Sequence, residues 1–286
     1  MADMESAFWD RVVAAGHQVP DDPPLADLTA DLTTMLGSTD PSVRDGIAFP
    51  TLATWVSEGV YDDLLEGLGD GMTAGLQVGI GEDGTDTVFR RSFSALVLTV
   101  CLDRAVSPST RERAGVSDDA VLRWGDAIAG WLVRERDLRG YVPGKGWAHA
   151  LAHGADALGM LAQAPVMQRL ELTVLLDVVA DRLLTPTRAR LVHGEDDRMA
   201  LATMEIVRRD LVGIDVLEPW LVRLAEHAQP AFESDDDPYL VTGNVQSFLR
   251  ALHLQLALSA RPPAVRTDLL LVLIEQLRKS NPFQLD

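Results

Sequence analysis

Two imidazoles and a carboxylate stand at one-turn spacings in the segment Trp147-Ala-His149-Ala-Leu-Ala-His153-Gly-Ala-Asp156. On a continuous helix, positions i, i+4 and i+7 share a face. His149, His153 and Asp156 are therefore a candidate ligand set for one divalent metal, or a candidate acid–base group. The motif is not His-Glu-x-x-His, so it supplies no zincin-type base. A fourth ligand would have to come from His193, Glu195, Asp196 or His253. The same spacing also suits core histidines oriented by Asp156, or imidazoles that hydrogen-bond an organic ligand.

The lead-in to this segment, Arg139-Gly-Tyr-Val-Pro-Gly-Lys-Gly-Trp147, is rich in glycine and holds one of only two lysines, Lys145. It is not a Walker A loop: the spacing is short, no strand precedes it, and no Ser or Thr follows Lys145. It suits a loop closing over a site, or a tight structural turn. The lone cysteine, Cys101, lies in an apolar run that reads as a buried helix, so it is expected to be a structural thiol. Asp83-Gly-Thr-Asp86 and Asp235-Asp-Asp-Pro238 do not match a calcium loop and read as solvated acidic loops.

These residues need elements to position them, and the pattern is helical almost throughout. A short helix over 5–15 precedes a Pro-rich loop. Five helix pairs follow: 24–36 with 41–58, 61–78 with 87–105, 117–136 with 147–162, 166–184 with 196–212, and 215–229 with 240–260. A last helix over 264–279 closes the stack. Asp40 before Pro41, and Ser117, are expected helix caps, and Pro50 is expected to kink its helix. No strand pattern competes. The second helices begin near residues 41, 87, 147, 196 and 240, a spacing close to the HEAT and armadillo period. The expected fold is all-α: a HEAT-like α-solenoid of about five antiparallel helix pairs in a single domain over 1–286. Residues 1–23 form an N-terminal helix and loop, and 24–280 form the repeat stack. A closed helical toroid is the main alternative.

The unusual polar residues recur at the starts of the second helices: Ser42, Arg44 and Asp45; Arg90, Arg91 and Ser92; Trp147 and His149; Glu195, Asp196 and Arg198; Asn244, Gln246 and Arg250. In a solenoid, equivalent positions line up along one edge. Helix N-termini there would add unpaired N–H groups and positive dipole ends, which suits an anion. Each motif taken singly is also an ordinary cap with local ion pairs.

Composition narrows the partners. The chain has 286 residues, 47% hydrophobic, and a formal net charge of −18. That charge repels nucleic acid and anionic membrane surfaces. No signal-peptide pattern and no run of about 18 apolar residues occurs, so the cytoplasm is the expected location.

The stretch Gly-Tyr-Val-Pro-Gly-Lys-Gly-Trp-Ala-His-Ala-Leu-Ala-His-Gly-Ala-Asp, with Arg-Arg-Ser-Phe-Ser upstream and Gly-Glu-Asp-Asp-Arg-Met-Ala downstream, resembles the bacterial family called domain of unknown function 2785. The resemblance covers roughly residues 25–280. It implies a helical, HEAT-like fold and supplies no catalytic assignment. Its motif positions coincide with Arg91, Ser92, Trp147, His149, His153, Asp156, Glu195, Asp196 and Arg198.

Three functions compete. The first is a binding protein for a small polar or anionic ligand, with Arg91, Ser92, Lys145, Glu195, Asp196, Arg198, Asn244 and Arg250 around it and Trp147 as a stacking wall. The second is an enzyme using one divalent metal on His149, His153 and Asp156. The third is a scaffold that binds a protein partner along the groove.

Overall fold

The computed structural model describes residues 2–228, 237, 239–281 and 285. These residues are mostly helical. The helices are α1 (Ala2–Ala14), α2 (Leu25–Met35), α3 (Pro41–Val43), α4 (Phe49–Glu58), α5 (Leu65–Gly75), α6 (Thr87–Val106), α7 (Arg111–Ala114), α8 (Asp118–Arg134), α9 (Ala150–Leu161), α10 (Arg169–Leu184), α11 (Glu195–Val207), α12 (Ile214–Glu226), α13 (Tyr239–Leu258) and α14 (Arg266–Ser280). Of the acidic loop at 235–238, only Asp237 lies within the described residues.

Local sequence sets these boundaries. Asp40 caps α3 by accepting from Ser42 N, and Ser117 caps α8 by accepting from Ala120 N, each satisfying a donor that the first turn leaves unpaired. Gln168 and Glu171 close α10 with a reciprocal capping box. The irregularity expected around Pro50 takes the form of a π turn over Arg44–Ala48, between α3 and α4. Proline removes one backbone donor and crowds the preceding turn, and a widened turn accommodates both.

Two departures from the sequence reading matter for the site. The helix expected from residue 147 begins at Ala150, so Trp147 and His149 precede it. The lead-in loop also forms a two-stranded antiparallel hairpin, β1 (Tyr141–Val142) with β2 (Gly146–Trp147). Its turn needs left-handed backbone at Gly144 and Gly146, with φ of 77° and 78°, which glycine adopts without steric cost.

Helices α4, α6, α9, α11 and α13 each pack on the next, and α5, α8, α10, α12 and α14 do the same. The two sets also contact each other, as in α5 with α6, α8 with α9 and α10 with α11. One hydrophobic core runs through the contact from Trp9 to Leu277. Helix α8 shows how: Val121, Trp124, Ile128, Trp131 and Leu132 form its buried stripe, and each such side chain contributes roughly 1.5–3 kcal/mol on burial. Helix α9 is buried on almost every side between α6, α8 and α11. Its alanines and glycines let those neighbours approach closely.

Candidate functional site

The segment between α8 and α9 carries Tyr141, Trp147 and His149, and a buried carboxylate holds its root. Glu135 accepts from Arg91 Nε (2.6 Å) and Nη2 (2.9 Å), from Trp131 Nε1 (2.9 Å), and from the backbone N–H groups of Arg136 and Asp137 (3.0 Å each). Both charged side chains are fully buried, so the pair survives only because nearly every lone pair and N–H has a partner. Arg91 spends its remaining donors on Val78 O, Gly79 O and Thr87 Oγ1. Farther along, Asp137 accepts from Arg139 and from Gly84 N, and Lys145 pairs with Asp86 at 2.6 Å. Arg44, packed against the rings of Phe89 and Phe93, donates to Lys145 O. The hairpin is thereby tied to the π turn and to the loop before α6.

The hairpin ends at His149, whose backbone is left-handed (φ 51°). That conformation is uncommon outside glycine and costs on the order of 1 kcal/mol. It turns the imidazole under Trp147, where the rings stack at 4.4 Å and 28°. Tyr141 and His193 meet the indole edgewise at 5.1 and 5.5 Å. Trp147 remains 42% and Tyr141 49% exposed, an uncommon position for two large aromatic side chains.

Beneath them lies His153, one turn into α9 and buried. The Ser92 hydroxyl donates its single proton to Ala148 O. Ser92 Oγ must then accept from His153 Nδ1 (2.8 Å), with Ser92 O as a second acceptor at 3.3 Å. This assigns the proton to Nδ1 and leaves Nε2 as an acceptor. Ser92 and His153 stand at the distance of a nucleophile and its base, but Ser92 is fully buried and its proton is already committed, so the contact is structural. Burial drives the His153 pKa down to about 3, assisted by the nearby His149 and Arg198. Burial also lowers His149, against the opposing charge of Glu195.

Glu195 opens α11 and is 1% exposed. Its Oε2 accepts from His193 N at 2.8 Å. Its Oε1 lies 3.7 Å from His149 Nε2 and 3.8 Å from His193 Nδ1, beyond hydrogen-bond reach. His149 Nε2 is buried and makes no hydrogen bond to any of the described residues. The close approach of the hairpin depends on Gly140: a Cβ there would collide with His193 Nδ1 and stand 2.8 Å from Glu195 Oε1.

The expected residues divide accordingly. His149, His153, Trp147, Ser92 and Glu195 are gathered at one place, joined by Tyr141, His193 and Gly140, which sequence reasoning had not singled out as wall, edge and spacer. Asp156 does not complete a ligand set with the two histidines. It is gripped by both ends of the Arg198 guanidinium, and His149 lies before the helix whose face the three were expected to share. Among the described residues no group of three or more His, Cys, Asp and Glu is arranged to hold a metal ion. Arg91, Lys145 and Arg198, expected to hold an anion, each carry a carboxylate partner: Glu135, Asp86 and Asp156. Arg250 is engaged by Asn281. Asn244 bonds Leu191 N and Ala189 O, bracing the chain before Glu195. Asp196 is half-buried beside Glu195. Glu135 went unnoticed because it sits in a run of alternating charges, Arg134-Glu-Arg-Asp137; its one signal was Trp131 a turn earlier. No helix among the described residues is long and apolar enough to cross a membrane.

A family profile described as a protein of unknown function (DUF2785) matches residues 76–254, more than half of the chain. The match contains the whole cluster, from Ser92 to Arg198. No curated protein and no solved structure matches the chain.

Proposed function

The chain belongs to the DUF2785 family, and from that premise we propose that it is a small-molecule-binding protein whose site lies at Trp147, His149, His193 and Glu195. One observation carries this reading: His149 holds left-handed backbone and a buried Nε2, unpartnered among the described residues, beside a buried carboxylate. An unsatisfied buried polar group costs about 1–3 kcal/mol, and strained backbone adds to that. Such costs gather where function needs them. The exposed Trp147 and Tyr141 supply apolar wall, and the acid and imidazoles supply the few polar contacts that orient a ligand. The ligand is polar rather than anionic, since the arginines and the lysine around the site already have carboxylate partners.

The architecture that presents this site is, in the same reading, a single-domain HEAT-like α-solenoid. Support comes from the two sets of helices that each pack sequentially and on one another. Loops between paired helices then collect along one edge, which is where the hairpin and Glu195 meet.

The test is a thermal-shift screen of small polar compounds against the wild-type protein and Trp147→Ala. Trp147 is 42% exposed and lies outside the hydrophobic core, so the fold should tolerate its loss. A compound that raises the melting temperature of the wild type and not of Trp147→Ala supports the site. If every stabilising compound acts equally on both proteins, the site is elsewhere.

A second reading, a protein-binding scaffold, is favoured by an open groove of about 550 Å³ across α4, α6 and α9, lined in part by Ala53, Val100 and Met160. Thr54→Trp would fill it, and should abolish partner binding while leaving a Trp147-dependent ligand in place.

A further inference from the structure

Charge does not balance at the site. Glu195 is buried, and no lysine or arginine among the described residues forms an ion pair with it. Arg198, the nearest guanidinium on the same helix, is given to Asp156. The two imidazoles beneath Trp147 do not compensate, because burial disfavours their charged forms. His193 stands at the solvent edge, with Nδ1 3.8 Å from the carboxylate. A buried carboxylate without a partner is costly.

Hydrogen-bonding capacity is unbalanced in the same sense. Glu195 Oε1 receives no hydrogen bond from the described residues, and His153 Nε2 is an acceptor by the proton assignment at Ser92. His149 Nε2, which no described residue bonds, faces Oε1 across 3.7 Å. With the His149 proton on Nδ1, Nε2 is an acceptor like Oε1, and two acceptors that far apart can both lie about 2.8 Å from one donor nitrogen between them. Trp147 stacks on His149 and Tyr141 meets the indole edgewise, and such aromatic rings attract cations through their π faces.

Resting on the small-molecule reading, we propose that the ligand carries a protonated amine, with its ammonium group on Glu195 Oε1 and its body against Trp147 and Tyr141. An ammonium brings positive charge and up to three donors to a place that has acceptors and a negative charge. An anion has the wrong sign. A neutral hydroxyl would satisfy an acceptor and leave the charge. A metal ion would need a third donor, and the described residues do not cluster for one.

Isothermal titration calorimetry of the intact chain with propylamine, ethanolamine and tyramine tests this. The comparison probes are the alcohols of matching shape, inorganic phosphate, propionate and zinc chloride. Expected is amine binding to the wild type about tenfold or more tighter than the alcohols, and lost in Glu195→Gln, which removes the charge at constant shape. The amine-to-alcohol comparison needs only the wild-type protein, so it stands even if Glu195→Gln fails to fold. Amine binding that Glu195→Gln leaves unchanged overturns the proposal, because the acidic surface alone then explains it. Alcohols, phosphate or propionate that bind in a Trp147-dependent manner while amines do not overturn the amine and leave the small-molecule site standing. Zinc binding that depends on Glu195 and displaces amines also overturns it. No Trp147-dependent binding by any compound, in this panel or in the screen, ends both.

Discussion

Burial of His153 makes stability depend on pH in a direction that can be worked out. In the unfolded chain an imidazole takes its proton near 6.5, and in the folded chain His153 does so only at about 3. Between those values the unfolded state binds more protons. Stability is therefore fully present above about 6.5 and is lost as pH falls, by at most about 1.4 kcal/mol per unit from this residue. His153→Asn can keep a donor to Ser92 and cannot titrate. Urea melts from about pH 7 to about pH 4 should show the wild type losing stability relative to the variant; parallel curves would refute the assignment. His149 gives a second test at this scale. His149→Gly relieves the left-handed backbone by about 1 kcal/mol and removes a ring stack of similar worth. The expected outcome is nearly unchanged stability with ligand binding lost, and a large drop in stability would mean that His149 is merely structural. The sequence marked both histidines as unusual, and the spacing argument still failed for them. It assumed that His149 was already helical, and one residue in left-handed backbone turned its ring away from the shared face. That Asp156 belongs to Arg198 was equally invisible, because the two meet only when α9 packs on α11.

The Glu135–Arg91 pair does for the α8–α9 segment what a single residue cannot: it fixes where the hairpin starts. Removing one member of a buried pair leaves the other charge unpaired, at a cost of about 3–5 kcal/mol. Arg91→Ala should lose that much. Glu135→Ala should lose at least as much, since Trp131 Nε1 and the N–H groups of Arg136 and Asp137 lose their acceptor too. Equilibrium unfolding of both variants checks the order, and two near-neutral variants would show that the hairpin is positioned by other contacts. Gly140→Ala acts on the same element more locally. Its methyl would collide with His193 and Glu195, so ligand binding should fall with a stability loss of about 1–3 kcal/mol. Elements whose signals are local were legible: Asp40 and Ser117 cap as read, and α6, α10 and α14 fall within a few residues of their expected spans. The hairpin was not, because two residues per strand carry no alternation to detect and its glycines fit any tight turn. Neither was the π turn. Pro50 announced a disturbance, but its form depends on Arg44 being clamped between Phe89, Phe93 and Lys145 O, contacts that span the chain.

A formal charge of −18 acts on the whole molecule, and it acts on folding and on ligand capture with opposite signs. Like charges on a compact body repel, so the folded state bears more of this repulsion than the expanded chain. Salt screens it, with a Debye length that falls from about 30 Å at 0.01 M to about 3 Å at 1 M. Surface ion pairs such as Lys279–Glu275 are weakened by the same salt, but pairs of that kind are worth little to begin with. The buried Glu135–Arg91 pair is shielded from it. The melting temperature should therefore rise between about 0.01 and about 0.5 M sodium chloride. The same field draws a cation toward the molecule, and screening removes that attraction, so the affinity for propylamine should fall over the same range. Contacts at Glu195 and Trp147 are short-ranged and survive, so the tenfold preference for amine over alcohol should narrow without vanishing. Melting curves and titrations run in parallel on one protein sample measure both trends. A preference that disappears entirely at about 0.5 M would place the amine in the diffuse field of the surface and not on Glu195. A melting temperature that falls with salt would mean that attractive pairs outweigh repulsion in the folded state, despite the excess of carboxylates.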